Sequence, residues 1–123
     1  AAQTGVDIYL GSGGAPEGVL AAAALKCTGG QIQGRLLPEN DEQVKRILSM
    51  GIKDPRRKYN LDEMVSGDVI FSATGVTDGS LLLGVHFRGA FAETETVVMR
   101  AKTGTVRRMK TSFRNIGLKM KGI

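Results

Sequence analysis

An apolar run, a glycine-rich loop and a second apolar run succeed one another without a break near the start of the chain, and together they constrain its fold more than any other feature. Val6-Asp7-Ile8-Tyr9-Leu10 leads into Gly11-Ser12-Gly13-Gly14-Ala15-Pro16-Glu17-Gly18, and Val19-Leu20-Ala21-Ala22-Ala23-Ala24-Leu25 follows. The pattern predicts a strand, a tight loop and a buried helix. Glycines let backbone N–H groups approach a ligand with no Cβ in the way, Pro16 suits the first helical position, and Glu17 puts a carboxylate in the first turn. A loop of this kind can hold a phosphate on its amides and a metal ion on its carboxylate. The same residues also serve if the glycines only shape the turn and Glu17 only complements the helix dipole. Two familiar phosphate loops are excluded. A dinucleotide fingerprint needs glycine where Pro16 stands, and a P-loop framed on Gly13 and Gly18 needs Lys and Ser or Thr where Val19-Leu20 stand.

Downstream, the helix beginning at Pro16 is expected to run to about Thr28, where Gly29-Gly30 offers a left-handed stop. It is apolar nearly all round, which predicts burial. Residues 31–37 alternate in strand fashion up to Pro38, and Asn40 or Asp41 can cap an amphipathic surface helix carrying Val44, Ile47, Leu48 and Met50. Residues 54–58 read as a charged connection and residues 61–65 as one helical turn. The stretch 68–74 has a continuous apolar centre, predicting a strand buried on both faces, and it empties into a second glycine loop, Gly75-Val76-Thr77-Asp78-Gly79. Residues 81–87, 94–101 and 106–113 are further strand candidates. Helices alternating with strands predict an α/β fold, with a mixed, mostly parallel sheet flanked by helices and an antiparallel, β-rich last third. Ligands of such folds gather at the carboxyl ends of the strands, where both glycine loops fall.

The 123 residues suit one domain, and 41% hydrophobic content with 5% aromatics and no Trp describes an aliphatic core. No apolar stretch approaches the roughly 18 residues of a membrane-spanning helix. Cys27 is the single cysteine, so no intrachain disulfide forms; it is expected to be a packing residue in a reducing cytoplasm. His86, between Val85 and Phe87, reads as a structural histidine, and neither a histidine-based triad nor a Cys/His zinc site can be assembled. The chain opens at Ala1 with no secretory pattern and enters its first apolar run almost at once, which is expected of a part of a longer polypeptide. From Arg100 to Ile123 there are eight Lys or Arg residues and no acid. That stripe suits a solvated face, or else a nucleic acid, an acidic partner or an anionic substrate, but Phe113 alone interleaves with the charges and gives no stacking platform.

Several of these blocks carry a resemblance. Gly11 to Val19, then Gly29-Gly30, Gln33-Gly34-Arg35-Leu36-Leu37, Val69-Ile70-Phe71-Ser72-Ala73-Thr74-Gly75-Val76-Thr77-Asp78-Gly79, Thr94-Glu95-Thr96 and Thr105-Val106-Arg107-Arg108 closely resemble, in order, the C-terminal portion of class II fructose-1,6-bisphosphatases. The resemblance extends from about Val6 to Lys110. It implies that residues 1–123 form the C-terminal half of a sugar-phosphatase fold similar to inositol monophosphatase. It further implies that Glu17 ligates a divalent metal, Mg²⁺ or Mn²⁺, and that the backbone at Gly13 and Gly14 touches the substrate phosphate. The implied reaction removes the 1-phosphate of fructose 1,6-bisphosphate in gluconeogenesis, by a cytoplasmic homo-oligomer with no membrane attachment. The family's catalytic residues and its other metal carboxylates belong to an N-terminal portion outside this chain, so the segment alone is expected to be inactive. Two alternatives are an RNA- or polyanion-binding module built on the basic end, and a nucleotide binder using the loop at Gly75 to Gly79; nucleic acid is the less expected partner.

Overall fold

Local chemistry sets the helices. In the computed structural model, which describes residues 5–114, α1 spans Ala15–Thr28 with Pro16 in its first turn, and Gly29 ends it at φ 77°, in the left-handed region that favours glycine. The Gly30 N–H closes the terminus on the Leu25 carbonyl at 2.9 Å. Asn40 caps α2 (Asp41–Ser49) by accepting from the Gln43 N–H at 2.9 Å. Asn60 and Glu63 make a reciprocal capping box on α3 (Leu61–Met64), each side chain accepting from the other's backbone N–H.

The strands pair in two groups. β1 (Gln33–Arg35) and β2 (Lys58–Asn60) form an antiparallel ribbon with Gly34 opposite Tyr59. β3 (Ile70–Thr74), β4 (His86–Arg88), β5 (Phe91–Arg100) and β6 (Thr105–Arg114) form the main sheet. β5 is its axis: β6 runs along one side for its whole length, and β3 and β4 share the other. Among the described residues every pairing is antiparallel, which overturns the mostly parallel sheet expected from the sequence. The fold class remains mixed α/β. The reason lies in the connections, because a parallel pair needs a crossover of a dozen or more residues, usually a helix, and the main sheet's strands are joined by loops and turns alone.

Three further expectations change. Residues 6–10 belong to no strand of the described residues, and Ile8, Tyr9 and Leu10 are exposed. β3 is covered on one face rather than two: Phe71 and Ala73 turn toward α1, while Ile70 is 68% exposed on the other side. Helix α1 is likewise half covered, burying Ala22 and Cys27 but leaving Val19 and Leu20 open. The strand expected over 81–87 shrinks to β4, because residues 79–85 fold back on the glycine loop.

The core lies where the end of α1 meets the sheet. Cys27, Leu82, Val97 and Met99 are buried there, with Ala24, Val69, Phe71, Ala73 and Ala101 around them. Cys27 is thus the packing residue expected of it, its thiol 3.7 Å from the Val69 carbonyl. Lys26 ties α1 to α3, donating to Asp62 at 2.9 Å and to the Val65 carbonyl at 2.8 Å. Met64 of α3 fills the space beside Gly18 and Gly34, where a side chain at Gly34 would meet its sulfur. These contacts fix the direction of α1 and hence the position of its N-terminal mouth.

Candidate functional site

The mouth of α1 carries Gly13, Gly14 and Glu17. Gly14 is the N-cap, in extended backbone with φ −65° and ψ 146°, and its carbonyl accepts from the Gly18 N–H at 3.1 Å. No side chain caps this end, in contrast to α2 and α3. Glu17 bends back instead, so that its carboxylate lies against Gly14 and a Cβ at that position would collide with it. Around Gly13 the space is open. The Glu17 side chain is exposed and makes no hydrogen bond or ion pair with any described residue. A free carboxylate at the positive end of a 14-residue helix, packed on a glycine that leaves room for it, can accept a cation or a hydrogen-bond donor.

A divalent cation needs more than this mouth provides. Magnesium takes oxygen ligands at short range in a near-octahedral shell, and one carboxylate cannot fix it. Among the described residues no group of three or more His, Cys, Asp or Glu side chains converges to hold a metal. Glu17 therefore fits the part of a single ligand, and the rest of any coordination shell must come from elsewhere.

The second glycine loop is filled by its own chain. The Val85 N–H donates to the Val76 carbonyl at 3.1 Å and the Gly79 N–H to the Leu82 carbonyl at 2.9 Å. A Cβ at Gly75 would run into the Leu83 carbonyl, and one at Gly84 into the backbone of Thr77. These glycines serve backbone-to-backbone packing. Asp78 pins the turn by accepting from the Gly84 N–H at 2.8 Å and from His86 Nε2 at 2.8 Å. The Gly84 N–H, and then the His86 ring, hold the Asp78 carboxyl below the usual carboxylate range. His86 is thus in structural use, and a nucleotide has no open cradle in this loop.

Asp68, at the head of the strand expected over 68–74, and Glu95, in the Thr94-Glu95-Thr96 block, carry no expected site role in the sequence. Asp68 takes two hydrogen bonds from the Arg100 guanidinium, at 2.9 and 2.7 Å, and one from the Lys102 N–H at 3.0 Å; the guanidinium is the main cause of its lowered pKa. Glu95 accepts from the Leu83 N–H and lies 4.0 Å from Arg108. A signal was available for Glu95, since an acid alternating with threonines on a strand points to the same face as Val97 and Met99. A cavity of about 440 Å³ opens beside it over β4, β5 and β6, and another of about 390 Å³ lies between Lys26 and Lys102. Gly13, Gly14 and Glu17 line neither.

Residues 1–113 match the family model described as bacterial fructose-1,6-bisphosphatase, glpX-encoded. The chain belongs to the class 2 fructose-1,6-bisphosphatase family. It is 40% identical, over 98% of its length, to a D-fructose 1,6-bisphosphatase class 2/sedoheptulose 1,7-bisphosphatase of Synechococcus sp. strain JA-2-3B'a(2-13), and covers 38% of that protein. Its identity to the protein of the same name in Synechococcus sp. strain JA-3-3Ab is 42%, over 88% of the chain and 35% of the relative. To the fructose-1,6-bisphosphatase class 2 of Haemophilus influenzae it is 38% identical, over 86% of the chain and 36% of the relative. The chain thus spans little more than a third of the length of these relatives.

Proposed function

We propose that residues 1–123 are the C-terminal α/β portion of a phosphatase that hydrolyses the 1-phosphate of fructose 1,6-bisphosphate, giving fructose 6-phosphate and phosphate in gluconeogenesis. The observation that carries this reading is the family match over residues 1–113. In this proposal Glu17 supplies one carboxylate to a divalent ion, Mg²⁺ or Mn²⁺, whose remaining ligands come from outside the described residues. Such an ion, when bound, neutralises phosphoryl charge and lowers the pKa of an attacking water. The chain's own contribution is positional. The α1 dipole favours negative charge at its mouth, Gly14 leaves room for the carboxylate, and the loop amides at Gly13 and Gly14 are the groups offered to the substrate phosphate.

The test is Glu17→Gln in the full-length gene product. Activation by Mg²⁺ or Mn²⁺ should weaken and turnover should fall by on the order of 100-fold or more, since a lost metal ligand costs at least as much as a lost outer-shell partner. Unchanged metal dependence would take Glu17 out of the site. The 123-residue chain by itself should release no phosphate from fructose 1,6-bisphosphate, and measurable turnover would refute its dependence on further residues. The two Synechococcus relatives are also named for sedoheptulose 1,7-bisphosphate, so the same assay should be run on both sugars.

The reading further places the enzyme in the cytoplasm as a homo-oligomer. The buried cysteine suits the first part, and the second rests on the family resemblance alone; among the described residues no helix is long and apolar enough to cross a membrane. No observation favours the RNA-binding alternative. Of the basic strand's side chains, Arg108 is spent on the Leu81 carbonyl and Arg114 stacks over Phe91 at 5.7 Å.

A further inference from the structure

We infer that the first half of α1 and the apolar run ahead of it form an internal docking surface, covered in the full-length protein by the portion of the polypeptide that precedes this chain. The inference rests on the reading of residues 1–123 as the C-terminal portion of a longer protein. Between Gly18 and Leu25, α1 carries no polar side chain. A helix lying on a surface sets an apolar stripe against a polar face, whereas one that is apolar all round is built to be covered on every side. Coverage here stops half-way along the helix. Ala22 and Cys27 are buried, but Val19, Leu20 and Ala21 stand exposed, Leu20 at 59%.

The run leading into the helix is of the same kind. Val6, Ile8 and Leu10 alternate with Asp7 and Tyr9, the two-residue period of a strand with a face to bury. Ile8 is nevertheless 77% exposed, and Tyr9 and Leu10 are each 85% exposed. Residues 6–10 belong to no strand among the described residues. A strand-forming segment without a sheet and a helix without its second cover thus flank one loop, residues 11–14, so a single body can complete both.

The length of the relatives says what that body is. The match takes in no more than 38% of any of the three, so most of each lies outside it. A segment joined to this surface through the same polypeptide meets it at a high effective concentration, which a second copy of the chain does not share. Docked there, the preceding portion supplies strand partners to residues 6–10 and packs on Val19 and Leu20. Glu17, in the first turn of α1, then lies at the seam, where groups from the preceding portion can reach it.

The experiment uses the full-length gene product, wild type first. In hydrogen–deuterium exchange read by mass spectrometry, the amides of residues 8–10 should exchange at least about 100-fold more slowly than those of a free extended chain, because paired amides exchange only on opening. Ile8→Cys and Leu20→Cys, labelled with a maleimide under native conditions and read peptide by peptide, should react at least about 100-fold more slowly than in urea. The wild-type exchange decides the matter by itself if a cysteine variant fails to fold. Exchange at the free-chain rate, or labelling of both cysteines as fast as in urea, would overturn the inference whether or not the protein hydrolyses fructose 1,6-bisphosphate. Protection that fades on dilution in step with subunit dissociation would give the surface to a second copy and overturn it too. Protection in a protein inactive on fructose 1,6-bisphosphate would uphold the docking and count against the phosphatase reading alone.

Discussion

At the scale of single residues, this chain uses its carboxylates in two opposite ways. Glu17 is bonded to no other side chain among the described residues, while Glu63, Asp68 and Asp78 are each committed to backbone N–H or cationic donors that hold their pKa values below the usual range. For Glu63 the first cause is the Asn60 N–H, and for Asp68 it is the Arg100 guanidinium. The sign follows from proton linkage. A carboxyl whose folded pKa lies below its unfolded value binds fewer protons when folded, so its stabilisation is complete above the unfolded value, near 3.8 for Asp68, and disappears as pH falls through the folded one. Urea midpoints measured from pH 6 down to pH 2 should stay level and then drop below about pH 4. Asp68→Asn should lower the plateau and flatten that drop; an unaltered acid limb would show that the Arg100 contact contributes nothing. Before folding, Asp68 looks like any acid ahead of a strand, because its partner lies 32 residues away.

At the scale of elements, the helix ends were the most legible part of the sequence. Gly29 ends α1 and Asn40 caps α2 as the residue types foretell, because a cap is a local bargain between one side chain and backbone within four residues. The capping box of α3 depends on the same local chemistry, so Asn60→Ala should cost about 0.5–2 kcal/mol of stability, read from a thermal or urea melt. A loss within error would mean that the packing of Leu61 and Met64, rather than the cap, holds the turn. Strand pairing was the least legible, since the apolar centre of β3 reads the same whether one or both of its faces are covered. The long edge strand β6 adds a protective device. Its Arg107, Arg108, Lys110 and Arg114 put like charges along an edge that would otherwise invite pairing with another chain.

At the scale of the whole molecule, the described residues bury one small apolar cluster, and Val97, with no exposure at all, stands at the centre of it. Val97→Ala should therefore cost about 2 kcal/mol, a large part of the stability such a core can supply. Circular dichroism through a urea titration would show the midpoint falling; a midpoint unmoved would place the stabilising contacts elsewhere. Exposed Val19, Leu20, Ile8 and Leu10 lie on either side of the Glu17 mouth in sequence, so the candidate site borders the least covered part of the described residues.

Read by itself, the sequence determined the helix ends, the glycine loop with its carboxylate and the family to which the chain belongs, because these depend on residues that are neighbours along the chain. Only the tertiary structure decided that the main sheet is antiparallel around β5, that the second glycine loop closes on itself, and that Glu95 turns from Lys110 toward Leu83 and Arg108. Each of those outcomes is a choice among partners far apart in sequence, and only the packed arrangement of strands and loops determines which of them meet.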